Sequence, residues 1–232
     1  MSYKLLLPLV LSSLIAISNP CTRAQPQGGA PPAQPNPDAG LTRPTVLPAP
    51  YSAITIVGTV ERYLMNPGGQ ADGLLLSDGK QLHFPPHLSS ALLQVARPGD
   101  QIEATAEPGL QSKYGQEFRT ISLTNTRTRQ VVIDQPPAYP PAPPAPGQLL
   151  TVSGAVSNWL VGHFGEVRGL LLSDGSEVHF PPPLQQSILA AIKRGDRVSV
   201  QGYGTRSSIG TCLDATGMTV NGKSLSLFGM AP

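Results

Sequence analysis

The chain has 232 residues, of which only 13% are charged and 5% aromatic, while Pro (26) and Gly (24) together exceed a fifth of it. Such a composition excludes a core rich in large rings and implies linkers and many turns. The formal charge of +2 comes from Lys4, Arg23 and Arg43 against Asp38; residues 51–134 hold seven basic and eight acidic side chains and residues 148–232 hold six and five. Neither half therefore carries the excess of Lys and Arg expected of a nucleic-acid-binding face.

Residues 1–24 read as a secretory signal peptide. Lys4 supplies the positive start, residues 5–17 (LLLPLVLSSLIAI) the apolar run, and Thr22-Arg23-Ala24 a cleavage site with small residues flanking Arg23. The run falls short of the about 20 residues that span a bilayer. The expected location is therefore periplasmic or secreted, with no transmembrane span once the leader is cut after Ala24. Cleavage would remove Cys21 and leave Cys212 without an internal disulfide partner, expected as a small buried apolar residue. Residues 25–50 (QPQGGAPPAQPNPDAGLTRPTVLPAP) hold no apolar period and read as a disordered, Pro-rich tether.

The strongest signal is a repeat. Gly73–Phe84 (GLLLSDGKQLHF) and Gly169–Phe180 (GLLLSDGSEVHF) align at a constant offset of 96, which also matches Gly58 with Gly154 and Gly99-Asp100 with Gly195-Asp196. The duplicates occupy 51–134 and 148–232. Between them, residues 135–147 (QPPAYPPAPPAPG) form a second Pro-rich segment, read as a semi-rigid spacer between independent modules.

In each module, apolar alternation over Ile54–Leu64, or its counterpart from Leu150, predicts a strand with a mid-strand glycine that marks a bulge or bend. Gly73–Ser77 and Lys80–Phe84 predict two strands joined at Asp78-Gly79, a pair suited to a type I′ turn. Leu82 and Phe84 are expected inward, Gln81 and His83 outward. Pro86–Ala96 spaces Leu88, Leu92, Leu93 and Val95 as a helix does. Gln101–Ala106 and Phe118–Thr124 complete five strands. The recurring Asp78, Asp174, Asp100 and Asp196 each stand beside Gly, as turn residues do.

The order β-β-β-α-β-β resembles the OB-fold, a five-stranded Greek-key barrel with a helix between strands three and four. The expected class is all-β with one short helix per module, as two tandem OB-like barrels; a five-stranded sheet packed on one helix is the rival architecture. The resemblance implies ligand binding through the face of strands two and three and the loops beside it. Tyr63 and Trp159 are equivalent positions, as are His83 and His179. One aromatic ring and one histidine per module would then share that face, with the ring as a stacking plate. The alternative for Tyr63 and Trp159 is packing under a loop or against the other module.

No nucleophile–base constellation or nucleotide-binding glycine pattern is present, so no catalytic residue, enzyme activity or cofactor is expected. The four histidines, at 83, 87, 163 and 179, with only Cys212 and scattered carboxylates to help, predict no metal site. The functional expectation is an exported binding or interaction protein whose ligand is a protein or envelope polymer. The rival ligand is single-stranded nucleic acid. The loops MNPGGQAD and VGHFGEVR differ between the modules while the scaffolds match, so the modules are expected either to bind different partners or to bind through one rim only.

Overall fold

The computed structural model describes residues 52–137, 146–180 and 185–225, the side chains of 185–187 excepted. The predicted leader, the tether and most of the spacer lie outside those residues. Two barrels follow one another. The first runs β1 (Ile54–Met65), β2 (Ala71–Leu76), β3 (Gln81–His83), a 3₁₀ turn over Pro86–Leu88, α1 (Ser89–Val95), β4 (Gln101–Pro108), β5 (Glu117–Asn125) and β6 (Val131–Ile133). The second runs β7 (Gln148–Val161), β8 (Val167–Leu172), β9 (Glu177–His179), α2 (Gln185–Ala191), β10 (Arg197–Ser207), β11 (Gly210–Val220) and β12 (Lys223–Leu225).

Each barrel closes in the same way. β1 pairs antiparallel with β2 and β4, β4 with β5, and β3 returns to run parallel with β5. β7, β8, β9, β10 and β11 repeat that circuit. These are two tandem five-stranded OB-like barrels, each extended by a short sixth strand on β5 or β11. That sixth strand was not anticipated, because three residues give too short a pattern to read. Within each barrel, the inward residues form a separate core. Leu74, Leu82, Phe84, Leu92, Ile102 and Leu123 fill the first, and Val156, Leu170, Leu172, Ile188, Val200 and Leu213 the second.

Two local expectations are corrected. The β2–β3 turn is not type I′, since Asp78 does not take a positive φ. Gly79 N–H instead donates to Leu76 O at 2.8 Å and Gly79 alone takes φ +87°. This is a type I turn followed by a glycine bulge. The Asp78 carboxylate accepts from Lys80 N, and the other recurring aspartates likewise accept from nearby backbone N–H groups.

The second correction concerns β1. Its alternation holds through Val60, and then the pairing with β2 slips between Val60 and Arg62; β7 slips identically between Val156 and Asn158. One inserted residue sends every later side chain to the opposite face. Tyr63 and Trp159, expected outside by simple alternation, therefore point inward and are 9% and 7% exposed.

The barrels are not independent: both fall within one compact unit. Leu64 and Leu75 from the first barrel meet Leu160 and Leu171 from the second in a cluster separate from both cores. These four leucines are equivalent pairs at the repeat offset, so the contact is reciprocal, like a two-fold interface between copies of one chain. The backbone bonds repeat the pattern. Met65 N donates to Glu177 Oε1 at 2.9 Å, and Val161 N donates to Gln81 Oε1 at 3.1 Å. Loops then interlock across the junction. Leu110 N donates to His163 O at 2.7 Å, and Thr205 Oγ1 to Pro67 O at 2.9 Å. A Cβ on Gly109 would stand 2.5 Å from His163 O, so only glycine fits there. Ile209, at the tip of the β10–β11 hairpin, packs onto the first barrel's core, and Tyr114, from the β4–β5 connection, packs onto the second's.

Candidate functional site

The docked faces are β2, β3, the β1–β2 loops and the β4–β5 connections of both modules. In an OB-fold these are the elements that ordinarily meet a ligand. Each barrel thus turns that face to the other, leaving a small cleft of about 50 Å³ between them. Asp72, Gln81, His83 and Glu117 line it from the first barrel and Arg168, Glu177 and His179 from the second.

The two histidines singled out from sequence are brought to this cleft; the two aromatic rings are not. Neither ring offers an open plate for stacking. Tyr63 O–H donates to Ala96 O at 2.7 Å beneath the end of α1. Trp159 sits in the second core with Tyr114 against it edge-on, ring centroids 5.2 Å apart. Gln81 and His83 do point away from their own barrel, as expected, but that direction leads into the other barrel. Gln81 is 4% exposed, and its amide also donates to Trp159 O at 2.8 Å. Ionisable groups in the cleft feel the loss of water. Burial pushes Asp72 up to about 6, against His179 and with Glu177. It pushes Glu117 up to about 7 despite Arg168 Nη1 at 3.6 Å. It also raises Glu177 and Cys212, and it lowers His83 to about 4, with Arg168 and His163 adding to the effect.

The residues missed from sequence, Asp72, Gln81, Glu117, Arg168 and Glu177, had a readable signal. Asp72 and Arg168 are equivalents at the repeat offset, as are Gln81 and Glu177. Near-identical duplicates that differ in charge at positions on one face mark a place where the modules do different things. Glu117 and Cys212 are also counterparts: Gln81 pairs with Glu117 across β3–β5, and Glu177 with Cys212 across β9–β11. Their sequence alignment slips by one residue, which hid them. Cys212 is fully buried, as expected.

No protein-family model matches the chain, and no curated protein sequence matches it. Among solved structures it is similar to the wild-type single-stranded DNA binding protein from Thermus aquaticus. That likeness has 14% identity, covers 78% of this chain and 96% of that one, and has a TM-score of 0.23. A deletion mutant of the same protein gives 12% identity, 78% and 98% coverage, and 0.23. Likenesses this faint carry nothing about a ligand.

The cleft predicts a pH effect. Glu117 keeps its proton up to about 7 when folded, against 4.5 for the free group. Between those values the folded chain holds more protons than the unfolded one, so this group lowers stability as pH rises and is level above about 7. His83 works oppositely: neutral down to about 4 when folded, against 6.5 when free, it raises stability as pH rises through that window. Glu117→Gln removes the first effect and keeps the second. The variant should gain roughly 2 kcal/mol over the parent at pH 7.5, or about 5 °C in Tm, and almost nothing at pH 4.5. Thermal unfolding of both proteins at the two pH values checks it, and a variant less stable at pH 7.5 would contradict it.

Proposed function

We propose that this is an exported, non-catalytic interaction protein whose two barrels act as one rigid body toward a protein or envelope-polymer partner. The observation that supports it is the closure of both ordinary ligand faces on each other. What the fold normally offers a polymer is spent inside the molecule, so recognition falls to the outer surface.

That surface has suitable features. β6 has no strand beyond it among the described residues, and its Val131 and Ile133 are each 49% exposed on one side. An open strand edge can take up an extended segment of another chain by backbone pairing, with alternate side chains giving specificity. Leu149 and Tyr203, paired across β7 and β10, are each 55% exposed. Among the described residues no helix is long and apolar enough to cross a membrane. Export rests on the leader pattern around Lys4. The recurring aspartates accept hydrogen bonds from turn backbone N–H groups.

A single-stranded nucleic acid is poorly served, because the rings meant for stacking are buried and the charges of each module nearly cancel. The test is a photo-crosslinker placed at Thr128, beside β6, in the full chain within envelope fractions. A discrete adduct is expected that disappears in the Val131→Asp, Ile133→Asp double variant while Tm stays within about 2 °C, as surface changes usually do. Fluorescence anisotropy with labelled oligothymidylate should show no saturable binding at moderate salt. Saturable binding that weakens steeply with salt would overturn the reading.

A further inference from the structure

In the half of the cleft built by the second barrel, a histidine, a cysteine and a carboxylate converge. Donor atoms of Glu177, His179 and Cys212 all lie within 4.8 Å of one another. Strands rather than loops place them. Glu177 and His179 are alternate residues of β9 and share a face. β11 runs parallel beside it with Cys212 opposite Glu177. Glu177 Oε1 is held by Met65 N, which leaves Oε2 facing His179 Nε2 across 3.9 Å. That nitrogen is shut off from solvent and makes no hydrogen bond. Buried polar atoms are almost always partnered, so an orphan one calls for a missing ligand.

The other half of the cleft shows why this half is special. Its counterparts are Gln81, His83 and Glu117, and Arg168 reaches across from the second barrel to neutralise Glu117. The equivalent of Arg168 in the first barrel is Asp72, which interacts with Glu177 and His179 in the opposite half. One half therefore receives a cation from the protein, and the other receives a further carboxylate. Arg62, the nearby cation on that side, donates through Nη2 to the Gly175 carbonyl and favours the charged form of Glu177.

We propose that Glu177 Oε2, His179 Nε2 and Cys212 Sγ bind one divalent cation of the zinc class. A thiolate, an imidazole and a carboxylate suit that ion, which prefers four ligands in a tetrahedron and takes water at a position the protein leaves open. Bonds of about 2.0–2.3 Å put such ligand atoms about 3.5 Å apart, so these donors need draw in by only roughly 1 Å. Binding moves the Cys212 thiol proton, which now goes to Met65 O at 3.2 Å, out to solvent, and the sulfur bonds the metal as thiolate. Glu177 also holds Met65 N of the first barrel, so the metal would fix a side chain that bridges the junction. This departs from the sequence expectation of no metal, because the third ligand comes from a distant strand.

The test uses the full chain with Cys21→Ser, so that Cys212 is its sole thiol. Titration with cobalt(II), the spectroscopic stand-in for zinc, should give one equivalent bound and a thiolate-to-cobalt charge-transfer band. Stoichiometric zinc should abolish the band by displacement. His179→Gln should weaken cobalt binding by more than about 100-fold, beyond the cost of losing an outer partner. His83→Gln, the same change in the other half, should leave it within about threefold, which excludes a general effect on folding. Cys212→Ser should remove the band even where cobalt is still held. No band in the folded parent, or a band indifferent to His179→Gln, would overturn the proposal.

Discussion

Leu171→Asp is expected to pull the barrels apart while leaving each one folded. Leu171 lies in the four-leucine cluster and belongs to neither barrel core. It is 3% exposed, so the aspartate would place a charge in a dry contact. A buried, unpaired charge is among the costliest single changes, about 4 kcal/mol or more. The docked state cannot absorb that loss together with the reciprocal Gln81 and Glu177 bonds that depend on the same contact. Small-angle scattering should show a larger radius of gyration, while far-ultraviolet circular dichroism keeps its strand signal. Unchanged dimensions would mean that the loops alone hold the junction.

Trp159→Ala is expected to cost about 3–5 kcal/mol, as large-to-small changes in a core do. The ring is 7% exposed and lies among Val156, Leu170 and Ile188, and Tyr114 crosses the junction to cover it. The loss therefore falls on the second core and on the docking together. Denaturant unfolding should show a marked fall in the midpoint. Emission from this sole tryptophan should be blue-shifted in the native protein and indifferent to added oligonucleotide. A ring acting as a ligand plate would give the opposite pattern: little loss of stability and a strong response to ligand.

The fold was legible because its signals are local and repeated. Alternation through Val60, the Asp-Gly turns, the Pro-Pro entry to α1 and the 96-residue offset each stand within a short window, and duplication doubled every one. The barrel class and the strand order followed. The fate of the rings did not, since a single bulge at Glu61 or Ser157 reverses everything after it. Simple alternation has no means of counting an inserted residue. The docking was hidden for another reason. Leu75 and Leu171 belong to continuous Leu-Leu-Leu runs, which read as a buried strand without saying which neighbour does the burying. The histidines at 83 and 179 were found as equivalents facing away from their barrels. What they face depends on the other module, which no periodicity within one module encodes. Glu177, His179 and Cys212 converge only after β9 and β11 pair in parallel, a contact between distant segments.

Amide hydrogen exchange at Met65 and Val161 tests the docked arrangement most directly. Each N–H donates to a side chain of the opposite barrel, Glu177 and Gln81 respectively. Measured by NMR on the full chain, both should exchange slowly, and both should become fast in Leu171→Asp while core amides such as Leu74 and Leu170 stay protected. Fast exchange at Met65 and Val161 in the unaltered protein, beside protected cores, would mean that the barrels do not dock and that both ligand faces are open.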